Sequence, residues 1–167
     1  MTPKRLCLLG CVLMLFQVSC SPGVSGFGKH SFKKDEILVS IERTPCMGTC
    51  PVYLASIYQG GLVKYTGKKN TNRKGQWQAQ LEKHQIRSLK QLIRSSGISR
   101  SDSAYVNPLL ADYPGLNLQV RSTHAMRIIR VMEVNPPAHV SGFAHAIDSL
   151  LESLSWMRVD SGSKSTD

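Results

Sequence analysis

Between residues 36 and 43 apolar and polar positions alternate, with Ile37, Val39 and Ile41 facing one way and Leu38, Ser40 and Glu42 the other. A period of two predicts a half-buried strand. Residues 52–58 repeat the pattern, with Tyr53, Ala55 and Ile57 on a common face. Gly60-Gly61 then signals a hairpin, and residues 62–66 predict a third strand with Val63 and Tyr65 together. After a polar, basic loop at 68–75, a fourth strand is expected over 76–81 through Trp77, Ala79 and Leu81. The period then lengthens. Ile86, Leu89, Leu92 and Ile93 predict a helix over 84–96, stopped by Gly97. Residues 116–122 and 127–134 predict a second hairpin around Thr123-His124-Ala125. Pro136-Pro137 opens the strongest helix, whose stripe runs Val140, Phe143, Ala144, Ile147, Leu150, Leu151, Leu154. The order ββββαββα predicts an α+β fold, one antiparallel sheet with two helices packed on one face. The connection 99–115 is long for a compact domain, which marks it as a second site candidate. Its hydrophobes Tyr105, Val106, Leu109 and Leu110 predict that it packs down on the sheet.

The N-terminus has a different pattern. Lys4 and Arg5 precede an apolar run over residues 6–16. A bilayer span needs ~20 residues, whereas an export-signal core needs ~7–15, so the run predicts a signal peptide. Gln17-Val18-Ser19-Cys20 resembles a bacterial lipobox, in which cleavage precedes a cysteine that then carries lipid; Gln17 stands where Leu is usual. The expected organisation is a signal peptide over 1–19 and a lipidated Cys20 heading a Ser/Gly/Pro-rich tether over 20–35. A single domain follows over 36–157, with a disordered tail over 158–167. This places the protein in the bacterial cell envelope, anchored to the membrane lipid through Cys20 and facing the periplasm or exterior.

The net charge is +10 over 167 residues. Losing Lys4 and Arg5 with the leader leaves the chain strongly basic. Outside the cytoplasm such a charge favours anionic lipid, phosphorylated glycan or acidic polymer over nucleic acid. The segment holding Lys64, Lys68, Lys69, Arg73 and Lys74, near Tyr65 and Trp77, is the one local polyanion candidate. Its aromatics occupy inward strand positions, so a solvated hairpin end explains it as well.

The richest chemistry lies between the first two strands, in Thr44-Pro45-Cys46-Met47-Gly48-Thr49-Cys50-Pro51-Val52-Tyr53. Pro45 and Pro51 bracket the turn, and Gly48 at its centre permits positive φ. Cys7 and Cys11 fall in the leader and Cys20 takes lipid, leaving Cys46 and Cys50 as the pair of the mature chain. In an oxidising compartment a structural disulfide is the first expectation. A redox-active pair is the second, although such pairs usually read Cys-x-x-Cys before a helix. Copper is the third: Cys-x-x-x-Cys-Pro resembles the ligand motif of Sco-type copper chaperones, and soft thiolates suit Cu(I). No other cofactor is expected.

Elsewhere the chemistry is sparse. His139 and His145 fall on different faces of one helix, His30 in the tether and His124 at a hairpin tip. Asp102, Asp112 and Asp148 fall in unrelated contexts, and no nucleophile motif or phosphate-cradling loop occurs.

Thr44-Pro45-Cys46-x-Gly48-x-Cys50-Pro51-x-Tyr53, followed by a strand, a glycine turn and Val63-x-Tyr65-x-Gly67, resembles the signature of a bacterial domain-of-unknown-function family. Its members tend to be exported or lipoprotein-like. The likeness spans about residues 36–157 and implies an α+β exported module with no established reaction. The expected function is non-enzymatic binding or scaffolding of an envelope ligand, with thiol-redox or copper handling by Cys46 and Cys50 as the alternative.

Overall fold

The computed structural model describes residues 33–110, 112–123 and 125–159. The expected leader, Cys20, the tether as far as residue 32, His124 and the tail from residue 160 lie outside the described residues.

Four strands, β1 (Ile37–Arg43), β2 (Val52–Tyr58), β3 (Leu62–Lys69) and β4 (Gly75–Gln80), form the expected meander. Helix α1 (Lys83–Ser95) follows, opened by a reciprocal cap in which Gln85 Oε1 accepts from the Glu82 amide at 2.8 Å. A 3-10 turn (Ile98–Arg100) and β5 (Ala104–Val106) lead to the hairpin β6 (Leu116–Arg121) and β7 (Met126–Met132). Helix α2 (Ala138–Glu152) and a short β8 (Met157–Arg158) close the described chain. The sheet has eight strands in the order β5-β7-β6-β1-β2-β3-β4-β8.

The α+β class stands, but the sheet is mixed and larger than ββββαββα. β5 runs parallel to β7, pairing Tyr105 with Val131, and β8 adds to β4 through Trp77 and Gln78. Three-residue and two-residue strands are too short to show a period, and neighbours remote in sequence create them. Pairing of β1 with β6 joins the meander to the second hairpin through Ile41 opposite Leu118.

The face carrying Val39, Ile41, Ala55, Ile57, Val63, Leu118, Val120 and Ile129 is fully buried, as are Val140, Phe143 and Ile147 of α2. Leu89 and Ile93 of α1 join the same cluster, so both helices share one core with this face. Each of these Val, Leu, Ile and Phe side chains contributes about 1.5–3 kcal/mol on burial. Leu38 was expected on the opposite face. The register shifts between Ile37 and Val39, an irregularity that turns Leu38 into the core.

The connection 99–115 does not pack as its hydrophobes predict. Tyr105 packs on the core, but Leu109 is 89% exposed and Leu110 only half-buried. Asn107 supplies the reason. Its Oδ1 accepts from the Leu109 amide and its carbonyl from that of Leu110, both at 3.0 Å, so the segment turns on itself. At the other end, Lys34 falls within the expected tether, yet its carbonyl accepts from the Gly60 amide at 3.0 Å.

Candidate functional site

The parity that sends Val39 and Ile41 inward also sends Arg43 inward, at the last position of β1. Register places Arg43 opposite Tyr53 of β2, which in turn lies opposite Gly67 of β3. At this end of the sheet the helix-covered face changes from aliphatic to polar. Asp148 of α2 meets both partners: Arg43 Nη2 donates to its Oδ2 and the Tyr53 hydroxyl to its Oδ1. The Arg43 and Asp148 side chains remain 29% and 24% exposed, so the pair is anchored in the fold yet open to solvent.

Aromatic rings continue the wall. Tyr53 stacks on Tyr65 with centroids 5.1 Å apart, and Tyr65 meets Trp156 at 5.3 Å. Arg73 lies over the Trp156 ring at 5.6 Å, a cation–π contact. The Tyr65 hydroxyl and Thr71 Oγ1 are 2.6 Å apart, which draws the 70–74 loop back over the sheet. Gly67 makes that return possible, because a Cβ there would stand 1.7 Å from the Arg73 carbonyl oxygen.

The cysteine turn forms the rim. Cys46 and Cys50 stand at disulfide distance, with Cα atoms 5.9 Å apart. The Asn70 side-chain Nδ2 donates to the Cys50 carbonyl at 3.2 Å, tying the turn to the 70–74 loop. On the other side Thr44 and Gly115 exchange two bonds: the Thr44 amide to the Gly115 carbonyl at 3.0 Å, and the Gly115 amide to Thr44 Oγ1 at 2.9 Å. Gly48 does not use the positive φ expected of it, since the positive-φ glycines among the described residues are Gly61, Gly75 and Gly97. Instead its amide donates to Cys46 Sγ at 3.2 Å.

Together these groups enclose a cleft of about 470 Å³, lined by Arg43, Thr44, Cys50, Pro51, Tyr53, Tyr65, the 70–73 segment, Pro114, Gly115, Asp148, Leu151, Glu152 and Trp156. The size suits a small ligand or one unit of a larger one. Two arginines face two carboxylates, so the lining is electrically balanced.

Burial raises the Tyr53 pKa, and its hydrogen bond to Asp148 and that carboxylate's charge raise it further, against an opposing pull from Arg43. Burial works against the Arg43 charge, but Asp148 outweighs it and the guanidinium pKa ends above its ordinary value. Burial also raises the Tyr65 pKa, a shift moderated by Thr71 and Arg73. Tyr53 is therefore a neutral donor rather than a base. The alkaline consequence has a definite sign. Above the ordinary tyrosine value of 10.0 the unfolded chain releases a proton that folded Tyr53 keeps. Stability present below that pH is thus lost as pH rises toward the folded value. Tyr53→Phe is expected to flatten this decline in urea melts recorded between about pH 9 and 11.

Of the expected motif, Thr44, Cys50, Pro51 and Tyr53 line the cleft, whereas Pro45, Cys46 and Gly48 form the turn behind its rim. Sequence reasoning did not single out Arg43 or Asp148. Both carried a signal: Arg43 sits at an inward strand position, and Asp148 stands at the edge of the apolar stripe, four residues after Ala144 and three before Leu151. The basic segment disperses, with Lys64 over the Tyr58 ring, Lys68 3.8 Å from Glu42 and Arg73 over Trp156. His139 Nε2 pairs with the buried Ser101 Oγ at 2.9 Å, away from the cleft. Among the described residues no three His, Cys, Asp or Glu side chains converge as a metal site.

Residues 37–151 match a protein family described as Domain of unknown function (DUF6438). The chain belongs to this family. No curated protein matches it. The matched span runs from the first residue of β1 to Leu151, one residue short of the end of α2, so Arg43, Tyr53 and Asp148 all lie within the family domain.

Proposed function

We propose that this member of the family is a non-enzymatic binding domain of the bacterial cell envelope, exported and held at the membrane by lipid on Cys20. Its cleft takes a neutral, hydroxyl-rich ligand of the kind a glycan segment presents. The observation that carries the reading is the Arg43–Asp148–Tyr53 set, fixed by two strands and a helix yet partly open on the cleft floor. In it Asp148 is already engaged by a cation and a neutral phenol, which suits it to hold a ligand in place. Asp148 keeps acceptor capacity on both oxygens. Asn70, Thr71, Asn72 and Glu152 surround it with further amide, hydroxyl and carboxylate groups, and Trp156 gives a partly exposed ring. Balanced charge with many donors and acceptors suits hydroxyls better than a strong anion.

N-acetylglucosamine oligomers test the reading by tryptophan fluorescence. A saturable change is expected in the wild type and at least about tenfold weaker binding in Asn72→Ala, an exposed position whose loss leaves the melting temperature unchanged. Absence of any saturable response, or equal binding by the variant, rejects the assignment.

The thiol or copper alternative rests on Cys50, which lines the same cleft. If the bridge is structural, Cys46→Ser with Cys50→Ser lowers stability by about 2 kcal/mol, as expected for a short closed loop. No copper is then bound. Stoichiometric Cu(I) on the reduced wild type that disappears in the double variant would favour copper handling.

A further inference from the structure

A second cavity lies at the opposite end of the strands, where β1 begins and β2 ends. It encloses about 560 Å³ between α1, the 3-10 turn and β6. Its chemistry differs from that of the cleft. Lys90 and Arg94 of α1, Arg100 of the 3-10 turn and Arg121 of β6 all line it, and among the described residues no aspartate or glutamate does. Glu36, outside the lining, meets Arg121 Nε at 3.9 Å and is the one carboxylate paired with these four among the described residues. Beneath the cations lie two core side chains, Leu38 and Ile93, 3% and 4% exposed. Gln59 also lines the cavity and is 9% exposed; its Oε1 is buried without a hydrogen-bond partner among the described residues.

Each feature asks for a complement. Four like charges line one space, and an anion entering it complements them. Arginine forks from different elements match the several oxygens of a phosphate. An orphaned, buried acceptor costs free energy until a donor reaches it. Apolar side chains at the base accept a hydrocarbon stem.

We propose that this cavity binds the phosphate of a ligand that also carries a hydroxyl and an apolar stem. The phosphate meets Lys90, Arg94, Arg100 and Arg121, the hydroxyl donates to Gln59 Oε1, and the stem rests on Leu38 and Ile93. An anionic phospholipid headgroup has this build, and so does a soluble phosphate ester with a short acyl chain. The inference is independent of the glycan reading, since the two sites share no residue.

The test uses the purified full chain and hexanoyl-lysophosphatidic acid, which joins all three groups, with inorganic phosphate as the comparison. The lipid is expected to bind at least about tenfold tighter than phosphate, and Arg94→Gln with Arg100→Gln to weaken it by at least about tenfold. Both arginines are exposed, so the melting temperature stays unchanged. Gln59→Leu is expected to weaken the lipid and leave phosphate binding as it was. Equal lipid affinity in the arginine variant and the wild type, or no measurable binding by the wild type, overturns the assignment. N-acetylglucosamine binding at the cleft is unaffected in either variant, so failure of one site is distinguishable from failure of the other. Co-sedimentation with phosphatidylglycerol and phosphatidylcholine vesicles identifies the source. A preference for phosphatidylglycerol that the arginine variant loses assigns a membrane lipid. Loss of lysophosphatidic acid binding with unchanged sedimentation assigns a soluble ester.

Discussion

Asp148→Ala is expected to destabilise the fold by about 3 kcal/mol, read as a lower urea midpoint at unchanged slope. The substitution removes no core volume, for Asp148 sits at the edge of the apolar stripe of α2. What it removes is the anion that both Arg43 and Tyr53 address. The Arg43 guanidinium, 29% exposed, is left charged with its Asp148 partner gone. The Tyr53 hydroxyl, on a residue 8% exposed, loses its acceptor. Water relieves part of this cost through the cleft, which holds the effect below that of a fully buried pair. A compensated variant separates charge from packing. Arg43→Met with Asp148→Leu replaces both ions by apolar groups of similar size and is expected to recover more than half of the lost stability. The same variant no longer offers a polar floor and is expected to lose N-acetylglucosamine binding. Full stability in Asp148→Ala, or continued binding by the apolar variant, removes the basis for the cleft as the site.

Gly67→Ala is expected to cost a similar amount, about 3 kcal/mol, or roughly 10 °C in melting temperature. The added methyl would lie 1.7 Å from a backbone oxygen of Arg73, and backbone cannot rotate away as a side-chain tip can. The 70–74 loop has to lift. With it go the Tyr65–Thr71 hydrogen bond, the Asn70 bond to the cysteine turn and the Arg73 contact with Trp156. The cleft loses one wall, so glycan binding falls with stability. Gly142→Ala is the control. It lies on the exposed side of α2 with nothing within 4 Å of a new Cβ, and is expected to gain about 1 kcal/mol from helix propensity. If both substitutions behave alike, the close approach at Gly67 does not matter.

The meander, the second hairpin and both helices were legible because each carries a sustained period. Ile41 alternates with the polar Ser40 and Glu42, and Val140, Phe143 and Ile147 recur at helical spacing. β5 and β8 were not legible, because strands of three and two residues exist only through pairing with β7 and β4. Leu38 read as outward because an irregularity in register leaves no mark on a hydrophobic pattern. Leu109 read as buried because composition alone does not reveal that Asn107 turns the chain locally. The candidate site was half legible. Its turn stood out through cysteine, glycine and proline, and Tyr53 came with it. The ion pair did not, since Arg43 and Asp148 lie 105 residues apart and only the packing of α2 on the sheet brings them together.

The central pairing of the sheet has a consequence for how the chain acquires its structure. β2, β3 and β4 each follow their partner directly, whereas β6, which flanks β1 on the other side, arrives late; Glu42 and Asn117 in this pair are 75 residues apart. During synthesis the meander is made first and presents β1 as a bare edge, rich in isoleucine and valine, until β6 emerges. Such an edge is a template for strand addition by another chain. The high contact order that follows also slows folding into the millisecond-to-second range. Nascent and truncated chains ending before residue 116 are therefore the species most prone to self-association, while the finished sheet shields β1 at its middle and ends in two very short strands.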